Sequence, residues 1–383
     1  MNHPPQPDWD PTSAEVQRDQ RAAYDAMRHR CPVAYSDFFG WSLFRHADVM
    51  RVLHDHETFS NVVSQHRSVP NGMDPPEHTP FRRIIEPYFS PEGMAAFEPL
   101  CRGIAGELVD RAIARGEVEF MADVALPFAV RVQCAFLGWP SELQEPLIRW
   151  VRKNHEATLA RNRQAMSEIA REFEGFINGL LETRRWSGAG PETDLTASLM
   201  HEQVRGRTLS NEEVASILRN WTVGEIGTIS AAVGILAHYL TAHGGLQKEL
   251  RAKPDRLPAA VEEILRIHGP LVANRRVTTG PVEIGGRKIG AGERISINWI
   301  SANRDESVFG DPDKFQLDRD QSQNLLWGAG IHVCPGRPLA QLEMRVFLEE
   351  MLSRTGEFSL VPEKPATSAV YPAAGYSTLP LRV

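Results

Sequence analysis

Ser210-Asn-Glu-Glu213 places a hydroxyl and a carboxylate three residues apart, the pattern of a reciprocal helix cap. The segment it opens runs through Val214, Ile217, Leu218, Trp221 and Val223 to about Leu240 without a proline. Its apolar residues fall on most sides of a helix, not on one stripe. Such a helix has little face to give to solvent, so it is expected to cross the middle of the protein with neighbours packed around it. Any fold for this chain must therefore be built around one long central helix.

Helical periodicity also dominates elsewhere. Ser90 to Arg115 carries Met94, Phe97, Leu100, Ile104, Leu108 and Ile113 at helical spacing, an expected packing face, and residues 142 to 185 read as two further helices. Strand patterns are few and short: Val33 to Tyr35, Trp41 to Phe44, Val282 to Ile284, Glu293 to Asn298, and Leu379 to Val383. No repeat of solenoid length is present, and Gly188 to Glu192 is the best candidate loop. The expectation is a mainly α fold with small β-sheets, forming one unit over residues 1–383.

With 42% hydrophobic and 24% charged residues, the composition is that of an ordinary globular protein. The net charge of −7 comes without a basic tract, which argues against nucleic acid as a partner. The N-terminus lacks both a basic region and an apolar stretch, and no continuous apolar run reaches ~18 residues, so no leader and no membrane partner are expected. Cys31, Cys101, Cys134 and Cys334 are far apart and show no paired-cysteine zinc pattern, which fits reduced thiols in a cytoplasmic protein.

One cysteine stands in a special setting. Residues 327 to 337 read Trp-Gly-Ala-Gly-Ile-His-Val-Cys-Pro-Gly-Arg. Gly328 and Gly330 allow positive φ and close approach to a flat ligand, and Pro335 suits the first turn of a following helix. A thiolate at Cys334 would face the positive end of that helix, which favours a low pKa and metal ligation. Alone, such a turn reads first as holding a buried structural cysteine, because such cysteines are common.

Four separated segments together resemble the cytochromes P450. The Cys334 turn is similar to that family's haem-binding loop, aromatic-Gly-x-Gly-x-His-x-Cys-x-Gly. Glu263-Ile-Leu-Arg266 resembles its Glu-x-x-Arg helix, and Asp74-Pro-Pro-Glu-His78-Thr-Pro-Phe-Arg82-Arg83 its His-x-x-x-Arg helix. The fourth is the loop around Phe315 and Arg319. Order and spacing agree from about Ala14 to the C-terminus, most closely with soluble bacterial members.

The resemblance implies a P450 fold with haem b (iron protoporphyrin IX) held between the central helix and the cysteine loop. Cys334 would be the axial metal ligand, and His78, Arg82, Arg276 and His332 would offset the two propionates. Glu263 and Arg266 would form a structural network reaching Arg319. The implied activity is a haem-thiolate monooxygenase that hydroxylates or oxidatively dealkylates a small organic substrate. It would use O2 and electrons from a ferredoxin-type donor and its reductase, because this length has room for the haem domain alone. A peroxide-driven peroxygenase and a non-catalytic haem ligand sensor are the alternatives.

The central helix departs from the family's usual pattern of small residue, glycine, any residue, acid, threonine. Residues 223 to 228 read Val-Gly-Glu-Ile-Gly-Thr, so ungapped comparison puts Ile226 at the acid position and Gly227 at the alcohol position. Glu225 arrives one residue early and Thr228 one late. A spacing of three still puts both on one side of a helix. The expected catalytic pair is therefore Thr228, orienting a water, and Glu225, relaying protons. By resemblance, the substrate walls come from Val62 to Val69, the helices near 150 to 175, the central helix, Leu271 to Asn274, and the turn near Tyr371. Asn220, Glu225 and Asn274 among apolar residues allow a small molecule with one polar end.

Overall fold

Strands β1 (Val33–Ser36) and β2 (Gly40–Leu43) lead into helix α1 (His46–His54) and strand β3 (Phe59–Ser60). Helices α2 (His78–Ile85), α3 (Pro91–Arg115), α4 (Leu126–Leu137), α5 (Gln144–Leu159), α6 (Arg163–Ser187), α7 (Asn211–Thr241) and α8 (Leu257–His268) follow. Strands β4 (Ala273–Thr278) and β5 (Arg294–Asn298) and helix α9 (Arg337–Arg354) complete the elements that position the site. This computed structural model describes residues 5–64, 67–160 and 162–383. The first four residues of the N-terminal stretch, and Gln65 and His66 of the Val62 to Val69 wall, lie outside the described residues.

The capping box that starts α7 closes in both directions. Ser210 Oγ accepts from the Glu213 amide at 3.2 Å, and Glu213 Oε2 accepts from the Ser210 amide at 2.8 Å. The Glu213 carboxylate is also gripped by Arg207 at 2.7 Å and Arg67 at 2.9 Å, with the Arg207 hydrogen bonds foremost in holding its pKa down to about 2. Beyond the cap, Ile217, Leu218, Ile226 and Leu236 are fully buried, each worth roughly 1.5–3 kcal/mol of apolar burial. Helices α4, α6, α8 and α9 all pack on α7. By length and average hydropathy α7 could cross a membrane, yet 67% of its most apolar window is buried inside this protein. Its hydropathy belongs to a core helix.

Helix α3 runs along α9, but not every residue of its expected face is inside. Met94, Ile104 and Leu108 are buried, whereas Leu100 is 53% and Ile113 37% exposed. The 25-residue helix is covered by neighbours on part of its circumference only, and these two positions fall outside that cover.

The main sheet has the order β1-β2-β5-β4-β3, with β5 parallel to β2 and the other pairs antiparallel. The other two expected strands form as Val282–Ile284, paired with Arg287–Ile289, and Pro380–Arg382, paired with Ser359–Leu360 and Glu117–Glu119. Strand β4 carries no strand signal in its sequence. Its residues, Ala-Asn-Arg-Arg-Val-Thr, are mostly polar because two of them serve the cavity described next.

Candidate active site

The cysteine loop lies against the end of α1. Gly328 and Gly330 both take positive φ, +71° and +69°. A Cβ on Gly330 would stand 2.2 Å from the Leu53 carbonyl oxygen, so the loop can sit there only with glycine. The Cys334 amide donates to the Trp327 carbonyl at 2.9 Å and closes the loop. Helix α9 begins later than expected: its N-cap is Gly336 and its first-turn proline is Pro338, so Pro335 belongs to the loop. The amides of Gly336 and Arg337 point at the sulfur and favour its charged form, but burial outweighs them and pushes the thiol pKa up. The expected low pKa is therefore absent from the protein alone; a bound cation would reverse the balance.

Cys334 opens onto a cavity of about 410 Å³ between the loop and α7. Ala340 and Met344 of α9 line it, as do Gly224, Thr228 and Ala232 of α7. Arg82, Arg276 and His332 lie on its wall, with the His78 ring tilted against that of His332 at 4.3 Å between centroids. The Nε2 atoms of both histidines are buried without a hydrogen-bond partner among the described residues. Burial, with Arg276 and His78 nearby, lowers His332 to about 3, and burial lowers His78 as well. Arg276 is pushed down to about 10 by burial, and among the described residues its Nη1 donates to the adjacent Arg275 carbonyl at 2.8 Å. Arg82 is held by Glu86 at 2.8 Å. Orphaned buried donors on one wall of a cavity whose other walls are largely apolar fit a flat ligand bearing carboxylates.

On the opposite wall, the structure separates the expected pair. Thr228 lines the cavity, whereas Glu225 faces Glu343 of α9. Both carboxyls are buried and neither is offset by a cation, so desolvation raises both, and the charge of Glu225 raises Glu343 further. Glu225 therefore neither lines the cavity as a polar wall residue nor joins Thr228 there. Rotation of 100° per residue turns Glu225 toward α9, a direction set by packing and not by the spacing of three.

The remaining walls divide. Asn61, Asn71, Asn220, Leu271 and Asn274 line the cavity beside Cys334. The loop before Asn71 is tied to α7 by Ser68 and Val69, which bond Asn220 at 3.0 and 2.9 Å. Tyr371 and the helix near residue 155 line a second cavity instead. Behind the site, Glu263 accepts from Arg266 Nε at 2.9 Å and Arg319 Nε at 2.8 Å, with Glu263 and Arg266 both 0% exposed. Arg266 also donates to the carbonyls of Asn303 and Pro312, which fixes the segment leading to the cysteine loop. Sequence reading missed Glu262, which accepts from Trp327 Nε1 at 2.7 Å and from Gln341 at 2.8 Å and so ties the loop's aromatic residue to α8 and α9.

A protein-family model described as Cytochrome P450 matches residues 143–368. The chain belongs to the cytochrome P450 family. A putative cytochrome P450 of Bacillus subtilis, YjiB, is 31% identical over 360 residues, covering 91% of this P450 and 90% of its relative. Erythromycin C-12 hydroxylase of Saccharopolyspora erythraea is also 31% identical, covering 89% of each chain. The crystal structure of a Bacillus megaterium P450 in complex with testosterone superposes with a TM-score of 0.88 at 25% identity, covering 97% of this chain and 99% of that one. The fold is thus the P450 fold, and the protein is a P450 monooxygenase with haem as its cofactor.

Proposed function

We propose that this P450 hydroxylates or oxidatively dealkylates a small, largely apolar molecule carrying one polar end. Its co-substrate is O2, and its electrons come from a separate ferredoxin-type donor and its reductase. The observation that carries the reading is the Cys334 thiol, facing Thr228 across a cavity walled by orphaned donors. In this assignment Cys334 would ligate the haem iron, and His78, Arg82, Arg276 and His332 would hold the two propionates. Haem, when bound, supplies the activation of dioxygen for insertion into a C–H bond.

The chain's own contributions follow from position. The amides of Gly336 and Arg337 stabilise negative charge on the Cys334 sulfur. Thr228 presents a hydroxyl that can hold a water by donating to it or accepting from it. Apolar residues such as Val223, Ile229 and Leu271 exclude bulk water and receive the substrate body. Asn220 and Asn274 lie among them, but Asn220 is engaged with Ser68 and Val69, and Asn274 accepts from Trp299 Nε1 at 3.1 Å. The amide hydrogens of Asn274, without an acceptor among the described residues, are therefore the better candidate for the substrate's polar end.

A relative that hydroxylates erythromycin and a neighbour crystallised with testosterone support a reading in which the substrate is mainly apolar. Bacterial relatives likewise support a cytoplasmic location. The test is the ferrous carbonyl spectrum of the purified protein beside Cys334→Ala. A Soret band at the thiolate position, lost in the variant, is the expected result. A histidine-type spectrum, or one unchanged in the variant, would remove Cys334 from the role. Peroxide-driven turnover without redox partners would overturn the assignment of the electron source.

A further inference from the structure

Proton delivery to the Thr228 side of the cavity needs a titratable group that reaches both Thr228 and solvent. The helix itself offers none. Around Thr228, residues 224 and 227 are glycines, Ile226 is buried, and Glu225 is turned toward Glu343. A titratable side chain of α5 stands beside this stretch of the helix. A Cβ built on Gly227 would lie 3.8 Å from His155 Nε2, so the imidazole stands where a side chain of residue 227 would have pointed.

His155 and Gly227 share the wall of the second cavity, about 330 Å³, enclosed by α5, α7 and the turn around Tyr371. That turn meets the wall of the first cavity through the Leu271–Ala373 bridge. The half-buried ring has no hydrogen-bond partner among the described residues. Titratable and charged groups facing it on that wall are Arg152 and Glu156 of α5, both exposed, and Tyr371 and Tyr376 of the C-terminal segment. On the neighbouring α6, Glu172 is engaged by Lys153 and Glu174 by Arg219. Burial alone holds the imidazole pKa below its ordinary value. A neutral ring carries one N–H and one bare nitrogen, the state a relay requires.

We propose that His155 supplies protons to the Thr228 side of this P450, its imidazole standing, from α5, where the side chain that Gly227 lacks would point and passing protons through water to Thr228. For each proton given up at one ring nitrogen, one is taken up at the other from water in the second cavity. The ring returns to its starting charge, and no further oxidant or reductant enters. This role rests on the haem-thiolate reading of the Cys334 cavity.

The test uses the haem-loaded ferric protein and cyanide as the probe, titrated by the Soret shift from pH 5 to 8. Cyanide arrives as its conjugate acid and leaves a proton on the distal side. In the wild type, affinity should be level near neutral pH and fall by about tenfold per pH unit below the imidazole pKa, as one linked proton requires. His155→Phe should abolish that inflection, and so should His155→Asn, which keeps polarity without titrating. A wild-type profile retained in both single variants would overturn the proposal. Loss of the wild-type carbonyl band would instead strike the haem-thiolate reading, so the two failures are distinguishable.

Discussion

His78 and His332 come from distant parts of the chain and place their rings 4.3 Å apart at 57°, each with its Nε2 buried and without a partner among the described residues. Two imidazoles this close to each other and to Arg276 repel one another when charged, so the arrangement makes sense as the receiving wall for an anion. Removing one donor to a charged partner costs about 1.5–3 kcal/mol, or roughly 10- to 100-fold in an equilibrium. His332→Ala should therefore release haem to apomyoglobin roughly 10- to 100-fold faster, while the carbonyl band of the remaining holoprotein keeps its thiolate position. An unchanged transfer rate would remove His332 from the propionate assignment.

Glu263 is the only carboxylate among the described hydrogen-bond partners of Arg266, and both side chains are fully buried. Glu263→Gln leaves an arginine that cannot deprotonate facing a neutral amide, a loss of about 3–5 kcal/mol for a broken buried pair. The expected outcome in urea denaturation is a much lower midpoint, with little folded protein at 37 °C. A drop below about 1 kcal/mol would mean that the Asn303 and Pro312 carbonyls suffice to hold Arg266.

The Glu225–Glu343 pair gives a stability effect of opposite sign to that of a salt-bridged acid. Because burial raises both carboxyls, the native state holds protons that the unfolded chain releases above about pH 4.3, so this pair costs stability as pH rises through that range. Glu343→Gln should raise the melting temperature at pH 8 and change it much less near pH 4. Equal effects at both pH values would show that the pair is not holding a proton.

Gly330→Ala combines a positive φ with a Cβ 2.2 Å from the Leu53 oxygen. The backbone of α1 cannot yield as a flexible side chain would, so the variant should lose at least about 2 kcal/mol and bind less haem. Gly328→Ala shares the φ but meets only Trp299 at 3.8 Å, and should cost about 1 kcal/mol, the backbone strain alone. Comparing the two by thermal unfolding and haem content separates clash from strain.

Much of the architecture was legible because its causes are local. The capping box of Ser210 and Glu213, the glycines of the cysteine loop, and strands β1, β2 and β5 are specified by adjacent residues, and each formed within a residue or two of expectation. Strand β4 was not legible: Asn274 and Arg276 face a cavity, so the usual apolar alternation is missing. Neither was His155, a single histidine on an amphipathic helix, for which no local pattern signals a neighbour on α7. Leu100 and Ile113 erred the other way, since periodicity marks a face without saying how far its cover extends.

By itself the sequence determined that a long apolar helix must be central, that Cys334 sits in a glycine loop ahead of a helix, and that four separated motifs share the order of the P450 family. Tertiary structure alone decided which way the central helix is turned. It put Thr228 on the cavity wall, sent Glu225 to Glu343, and brought His155 to the gap at Gly227. Caps, turns and periodicities are short-range terms written in neighbouring residues, whereas the rotation of a helix about its axis is set by side chains on α4, α8 and α9 that the helix meets only after the chain has folded.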